Sequence, residues 1–144
     1  MATGKKQSTN FSRRNFIKNA GMAAAAFTIV PRFALGGKGF IAPSDTVYIA
    51  GIGAGGKGAS DLTGFAKSPN AKIAFLCDVD DRQIGESRKN FPSAKVYKDF
   101  REMLDKEAKG IDAVSVSTPD HTHAIAAMAA MQRGKHVYVQ KPLT

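Results

Sequence analysis

The stretch GIGAGGKG, residues 51–58, constrains the fold of this chain more than any other. It follows an apolar run, Val47–Ile52, that reads as a strand, and precedes Lys57–Lys67, which reads as a helix ending before Ser68-Pro69. Glycines at a strand-to-helix turn allow a tight bend and let backbone approach a ligand. The stretch fits G-x-G-x-x-G in two registers, Gly51/Gly53/Gly56 or Gly53/Gly55/Gly58. The second is preferred, because Gly51 lies where the strand is still running. In that register Gly53 makes the turn, Gly55 admits a pyrophosphate, and Gly58 lets the helix pack against the sheet. The helix start, with Gly56 in the same turn, offers amide hydrogens and a positive dipole end to that anion.

Downstream the periodicity keeps alternating. Lys72–Cys77, Lys95–Tyr97, Ala113–Thr118 and His136–Gln140 read as strands. Asp80–Phe91, Asp99–Gly110 and His121–Gly134 read as helices, with Asp80 and Asp99 as caps and Gly134 past a helix end. Either Asp120 or Thr122 is expected to cap the last. Five strands alternating with four helices imply right-handed crossovers and an α/β, Rossmann-like doubly wound parallel sheet over residues 45–144.

In such a sheet, ligands bind beyond the carboxyl ends of the strands. Asp78 ends the second strand, where its carboxylate would accept hydrogen bonds from the adenosine ribose and repel a 2′-phosphate. The expected cofactor is NAD or NADP, with NAD favoured; Arg82 could soften that preference. The turn STPDHTHA places Thr118, Pro119, His121 and His123 beside the cofactor. His121 and His123 have no third ligand cluster, so no metal is expected. The fifth strand delivers Lys141, followed by Pro142, to the same edge. A lysine there can hydrogen-bond a hydroxyl or carbonyl and stabilise negative charge developing during hydride transfer. Cys77, the one cysteine, reads as an apolar filler of its strand.

The net charge of +9 would suggest nucleic acid, but residues 1–40 carry seven basic and no acidic side chains. The remaining residues are close to neutral, so no nucleic-acid partner is expected. Instead SRRNFIK (Ser12–Lys18) precedes the apolar run Ala20–Val30, eleven residues and too short to span a bilayer. Residues 1–42 read as a twin-arginine (Tat) signal peptide and linker. The expected partner is the Tat export machinery, and the destination periplasmic or membrane-associated outside the cytoplasm. That route carries folded proteins, often with a cofactor already bound, which suits a cofactor-binding domain. Whether the signal is cleaved or kept as an anchor is left open by the sequence.

Taken together, GIGAGGKG, CDVD, STPDHTHA, MQRGKHVYV and QKP resemble, in order and spacing, the N-terminal half of the glucose–fructose oxidoreductase/inositol dehydrogenase (Gfo/Idh/MocA) family. The likeness covers about residues 45–144. It implies an NAD(P)-dependent oxidoreductase acting on sugars or cyclitols, a homo-oligomer when full length. The family's glutamate-lysine-proline motif sets its lysine near nicotinamide and substrate, which maps onto Lys141 and Pro142; Gln140 stands where the family has glutamate. The resemblance further implies a C-terminal α/β domain that completes the substrate site and is missing here. One branch hydrolyses glycosides through transient NAD-dependent oxidation; it tends to lose the lysine that Lys141 retains. The remaining alternative is a non-catalytic dinucleotide-binding or sensor module.

Overall fold

The computed structural model describes residues 41–143; the twin-arginine segment and its apolar run lie outside them. Five strands, β1 (Val47–Ile52), β2 (Ala71–Cys77), β3 (Lys95–Tyr97), β4 (Ala113–Val116) and β5 (His136–Val139), form one sheet. Its order is β3-β2-β1-β4-β5, and every pairing is parallel. The chain thus winds outward from β1 to one edge, crosses back, and winds to the other. That reversal between β1 and β4 opens a crevice at their carboxyl ends.

Helices α1 (Lys57–Phe65), α2 (Gly85–Asn90), α3 (Phe100–Lys106) and α4 (His123–Met131) cover the two faces. A parallel sheet buried on both faces needs apolar residues at successive positions, and β1 and β2 supply them. On one face Ala50, Ile52, Phe75, Val114 and Val116 pack with Met103 and Leu104 of α3 and Ala126 and Ala130 of α4. On the other, Ile49, Ile73 and Leu76 meet Leu62 of α1 and Ile84 ahead of α2. A bulge between Ile49 and Ala50 shifts the β1–β2 register. No helix among the described residues is long and apolar enough to cross a membrane.

The strands follow the sequence pattern closely, whereas two helix starts differ. The α-helix expected from Asp80 begins at Gly85, after a run of turns. Asp80 instead caps that turn, its Oδ1 accepting the Arg82 amide at 2.9 Å; an aspartate bonding its own backbone two residues on competes with the helix. Ahead of α4 a 3-10 turn, Asp120–Thr122, intervenes, and neither Asp120 nor Thr122 makes the expected side-chain cap. Thr122 Oγ1 donates backward to the Pro119 carbonyl at 2.9 Å. Asp99 caps α3 as the sequence suggests, accepting the Arg101 amide at 2.9 Å. That helix stops at Lys106, and Gly110 closes a separate 3-10 turn, Ala108–Gly110. Gly134, at φ 72°, ends the run after α4.

Candidate dinucleotide site

Between the carboxyl ends of β1, β2 and β4 lies a groove of about 460 Å³. Gly53, Gly55 and Gly56 form its floor; Asp78, Val79, Gln83, Lys98 and Phe100 line one side, and Ser117, Thr118, Pro119, His121 and Thr122 the other. Segments separated by scores of residues meet here because parallel strands all end at one edge.

Contacts around the glycines decide between the two registers. A Cβ at Gly58 would lie 1.8 Å from the Gly53 carbonyl oxygen, so α1 packs against the turn too closely for any side chain. At Gly53, φ is 76° and a Cβ would meet the Ser117–Thr118 backbone at 2.8 Å. At Gly51 the nearest obstacle is only the flexible end of Leu62. The Gly53/Gly55/Gly58 register therefore carries the steric demands. At Gly55, which lines the groove, a Cβ would lie 2.6 Å from the Gln83 Cβ, and the Gly55 amide donates to Asp78 Oδ2 at 2.9 Å. The amides of Gly56 and Lys57, at the start of α1, have no acceptor among the described residues.

Asp78 sits at the end of β2 with one carboxylate oxygen on Gly55 and the other accepting the Asp80 amide at 2.9 Å. Two backbone donors fix the carboxylate's direction while leaving lone pairs for a ligand. Arg82 is engaged elsewhere: its guanidinium meets the Asp80 carboxylate at 2.8–3.2 Å, and that hydrogen-bonded partner holds the Asp80 carboxyl down at about 2. Lys98 pairs with Asp81 at 2.6 Å. Burial pushes the Cys77 thiol up to about 12, with Asp78 adding to it, so this cysteine is a neutral apolar filler.

Opposite Asp78, Thr118 Oγ1 is buried without a partner among the described residues, and Thr118 lines the groove. An unpaired buried hydroxyl is costly and fits a site completed by a ligand. His121 is exposed and lines the groove. His123 does not line it: the ring is 1% exposed, with Nδ1 2.7 Å from the Pro142 carbonyl oxygen and Nε2 2.7 Å from that of Thr118. The expectation of His123 beside the cofactor is corrected accordingly, because both ring nitrogens face the backbone. Lys141 and Pro142 are exposed and stand outside the groove lining. They are tied to it through Pro142 and through Gln140, whose Nε2 donates to Asp61 Oδ2 at 2.9 Å. Among the described residues no three His, Cys, Asp or Glu side chains gather as a metal-ligating group.

Sequence reasoning passed over Lys98, Gln83, Asp61 and Ser117. Lys98 follows the end of β3 as Asp78 follows β2, so the strand-end rule could have found it. Asp61 and Gln140, 79 residues apart, carry no local signal. A cradle a Cβ would fill, a fixed carboxylate, free amides at a helix start and an orphaned hydroxyl together fit an adenine dinucleotide.

Comparison with known proteins agrees with this geometry. Residues 47–144 match the Gfo/Idh/MocA family, described as an oxidoreductase family with an NAD-binding Rossmann fold. A protein from Shewanella baltica (strain OS195) called a glycosyl hydrolase family 109 protein is 33% identical over 158 positions, covering 93% of this chain and 34% of that protein. Solved structures include myo-inositol 2-dehydrogenase from Lactobacillus plantarum (TM-score 0.62, 26% identity, 68% of this chain and 29% of that one). Another is scyllo-inositol dehydrogenase from Lactobacillus casei with bound NAD(H) and scyllo-inositol (TM-score 0.61, 29% identity, 68% and 28%). The chain spans about a third of the length of the curated relatives it matches. With the family matched over the whole sheet and the glycine turn, Asp78 and the Thr118 turn gathered at one edge, the chain belongs to the Gfo/Idh/MocA oxidoreductases as an NAD-binding Rossmann domain.

Proposed function

We propose that this chain is the cofactor-binding half of an NAD-dependent oxidoreductase acting on the hydroxyl-bearing carbons of sugars or cyclitols. The observation that carries the reading is the groove itself, with Asp78 fixed by two backbone amides on one side and Thr118 unpartnered on the other. The Gly56 and Lys57 amides would hold the pyrophosphate and Asp78 the adenosine ribose, while Thr118, Pro119 and His121 would line the cofactor's path. Bound there, the nicotinamide accepts or gives hydride. Lys141, exposed outside the groove lining, would hydrogen-bond the substrate oxygen and stabilise charge that develops on it. NAD is favoured over NADP because the Asp78 carboxylate would face the adenosine ribose and repel a 2′-phosphate, while Arg82 is held by Asp80.

Titration of the chain with NADH and NADPH, followed by nicotinamide fluorescence, tests this. Saturation by NADH at roughly tenfold lower concentration than NADPH, about 1.4 kcal/mol, is expected; no response to either at millimolar concentration overturns the reading. In the full-length protein, assayed on inositols and hexoses, Lys141→Ala is expected to lower turnover at least about tenfold with NADH affinity nearly unchanged.

The relatives' name favours one second reading, glycoside cleavage through NAD-dependent chemistry. A chromogenic glycoside assayed with and without NAD separates the two. A homo-oligomer when full length and delivery by the Tat machinery belong to the same proposal. NADH binding without turnover of any kind in the full-length protein would leave a sensor module.

A further inference from the structure

Lys141 itself is exposed, yet the residues on either side of it are held. On one side Gln140 donates its main-chain amide to the Val116 carbonyl at 2.9 Å and its carboxamide to Asp61 Oδ2 at 2.9 Å. On the other, the Pro142 carbonyl lies 2.7 Å from His123 Nδ1. Both holds return to the same two residues of the β4 turn. Ser117 Oγ donates to the same Asp61 oxygen at 2.9 Å, and His123 Nε2 lies 2.7 Å from the Thr118 carbonyl. The Asp61 side chain is 7% exposed and His123 1%, so each hold is shielded from competing water. The His123 ring donates to both carbonyls at once only when both nitrogens carry hydrogen, and otherwise to one of them. Ser117 and Thr118 in turn abut Gly53, where even a methyl would collide with their backbone.

Asp61 also decides what residue 140 can be. A carboxylate only accepts hydrogen bonds, so the carboxamide nitrogen, not its oxygen, must face it. The remaining Asp61 oxygen takes the Lys57 ammonium. A glutamate at 140 would set two carboxylates against each other in a poorly solvated place.

We infer that Asp61 and His123 are positioning residues for Lys141, clamping the chain on both sides of it onto the Ser117–Thr118 turn, and that Asp61 selects glutamine at position 140. The inference rests on the proposed role of Lys141 and goes beyond it, since neither Asp61 nor His123 would touch cofactor or substrate.

A reciprocal exchange in the full-length protein tests the pair, with NADH as probe and three readouts: affinity, nicotinamide emission at saturation, and thermal midpoint. Gln140→Glu is expected to lower the midpoint by about 5 °C and to reduce the emission gain to that of Lys141→Ala, with NADH affinity changed less than about threefold. Adding Asp61→Asn restores a donor facing an acceptor, and both midpoint and emission are expected to return most of the way. A double variant no better than Gln140→Glu overturns the pairing. Recovery of the midpoint without the emission overturns the positioning role and leaves a structural one. His123→Ala is expected to lose emission as well, and an unchanged emission there removes His123 from the clamp. If the unmodified protein ignores NADH, the cofactor reading falls and positioning of Lys141 with it, whereas thermal rescue would still establish the Asp61–Gln140 pair.

Discussion

A methyl group is enough to separate the glycines of the turn by role. At Gly58 it would be driven to 1.8 Å from a carbonyl oxygen belonging to backbone, which cannot rotate away. Gly58→Ala should therefore cost roughly 3 kcal/mol and abolish NADH binding, as read by urea denaturation and fluorescence titration. Gly56 has open space around it and only a positive φ of 49° to lose. With ψ at −114°, outside the left-handed helical region, Gly56→Ala should cost about 1–3 kcal/mol and leave a folded protein. Asp61 offers a test of charge rather than shape. Burial pushes its carboxyl up, but the donors Lys57, Gln140 and Ser117 outweigh that and hold it below its ordinary value. The folded chain thus binds fewer protons here than the unfolded one. The resulting stability is complete above the ordinary carboxylate range and is lost as pH falls through the depressed folded value. Stability measured from about pH 5 to pH 3 should fall less steeply in Asp61→Asn than in the unmodified chain.

Among the elements, α1 does the most varied work. Its first turn brings Gly58 under the Gly53 carbonyl, its second presents Asp61 to Ser117 and Gln140, and Leu62 enters the core. Its last turn is less constrained. Gly64 sits within the helix with nothing within 4 Å of where a Cβ would be. Gly64→Ala should stabilise the chain by about 0.5–1 kcal/mol, seen as a raised denaturation midpoint with NADH affinity unchanged. The beginning of α2 shows where element-level reading fails. Acids at its start and bases at its end are what a helix dipole favours, yet Asp80 bonds the Arg82 amide and guanidinium together and holds that segment as turns. A short-range alternative for the backbone won over a pattern that was only permissive. Ser87 then ties α2 to the glycine turn, its hydroxyl donating to the Ala54 carbonyl at 2.5 Å.

For the molecule as a whole, charge and domain separate cleanly. The basic residues of the first forty positions stand apart from a near-neutral remainder, the division expected of an export address ahead of a folded domain. Replacing Arg13 and Arg14 with lysine should leave a fused reporter in the cytoplasm, measured by cell fractionation, while the fold and NADH binding of the purified chain stay unchanged. Equal export of both forms would remove the twin-arginine reading. The described domain has its own two-faced core, so cofactor binding and export are separable measurements.

The strand order was not legible along the chain, but the number of strands, their parallel arrangement, the helix count and the end of the sheet at which a ligand must bind were. Each depends on periodicity and on the handedness of crossovers, properties of neighbouring residues. Asp78 and the Thr118 turn were found in the same way, as the residues that follow strands. Local patterns could not reveal that Gly55 is crowded by Gln83, that the His123 ring lies between two carbonyls, or that Asp61 reaches Gln140 across 79 residues. Those depend on distances of a few ångströms between segments remote in sequence, which only packing α1 and α4 onto opposite faces of one sheet sets.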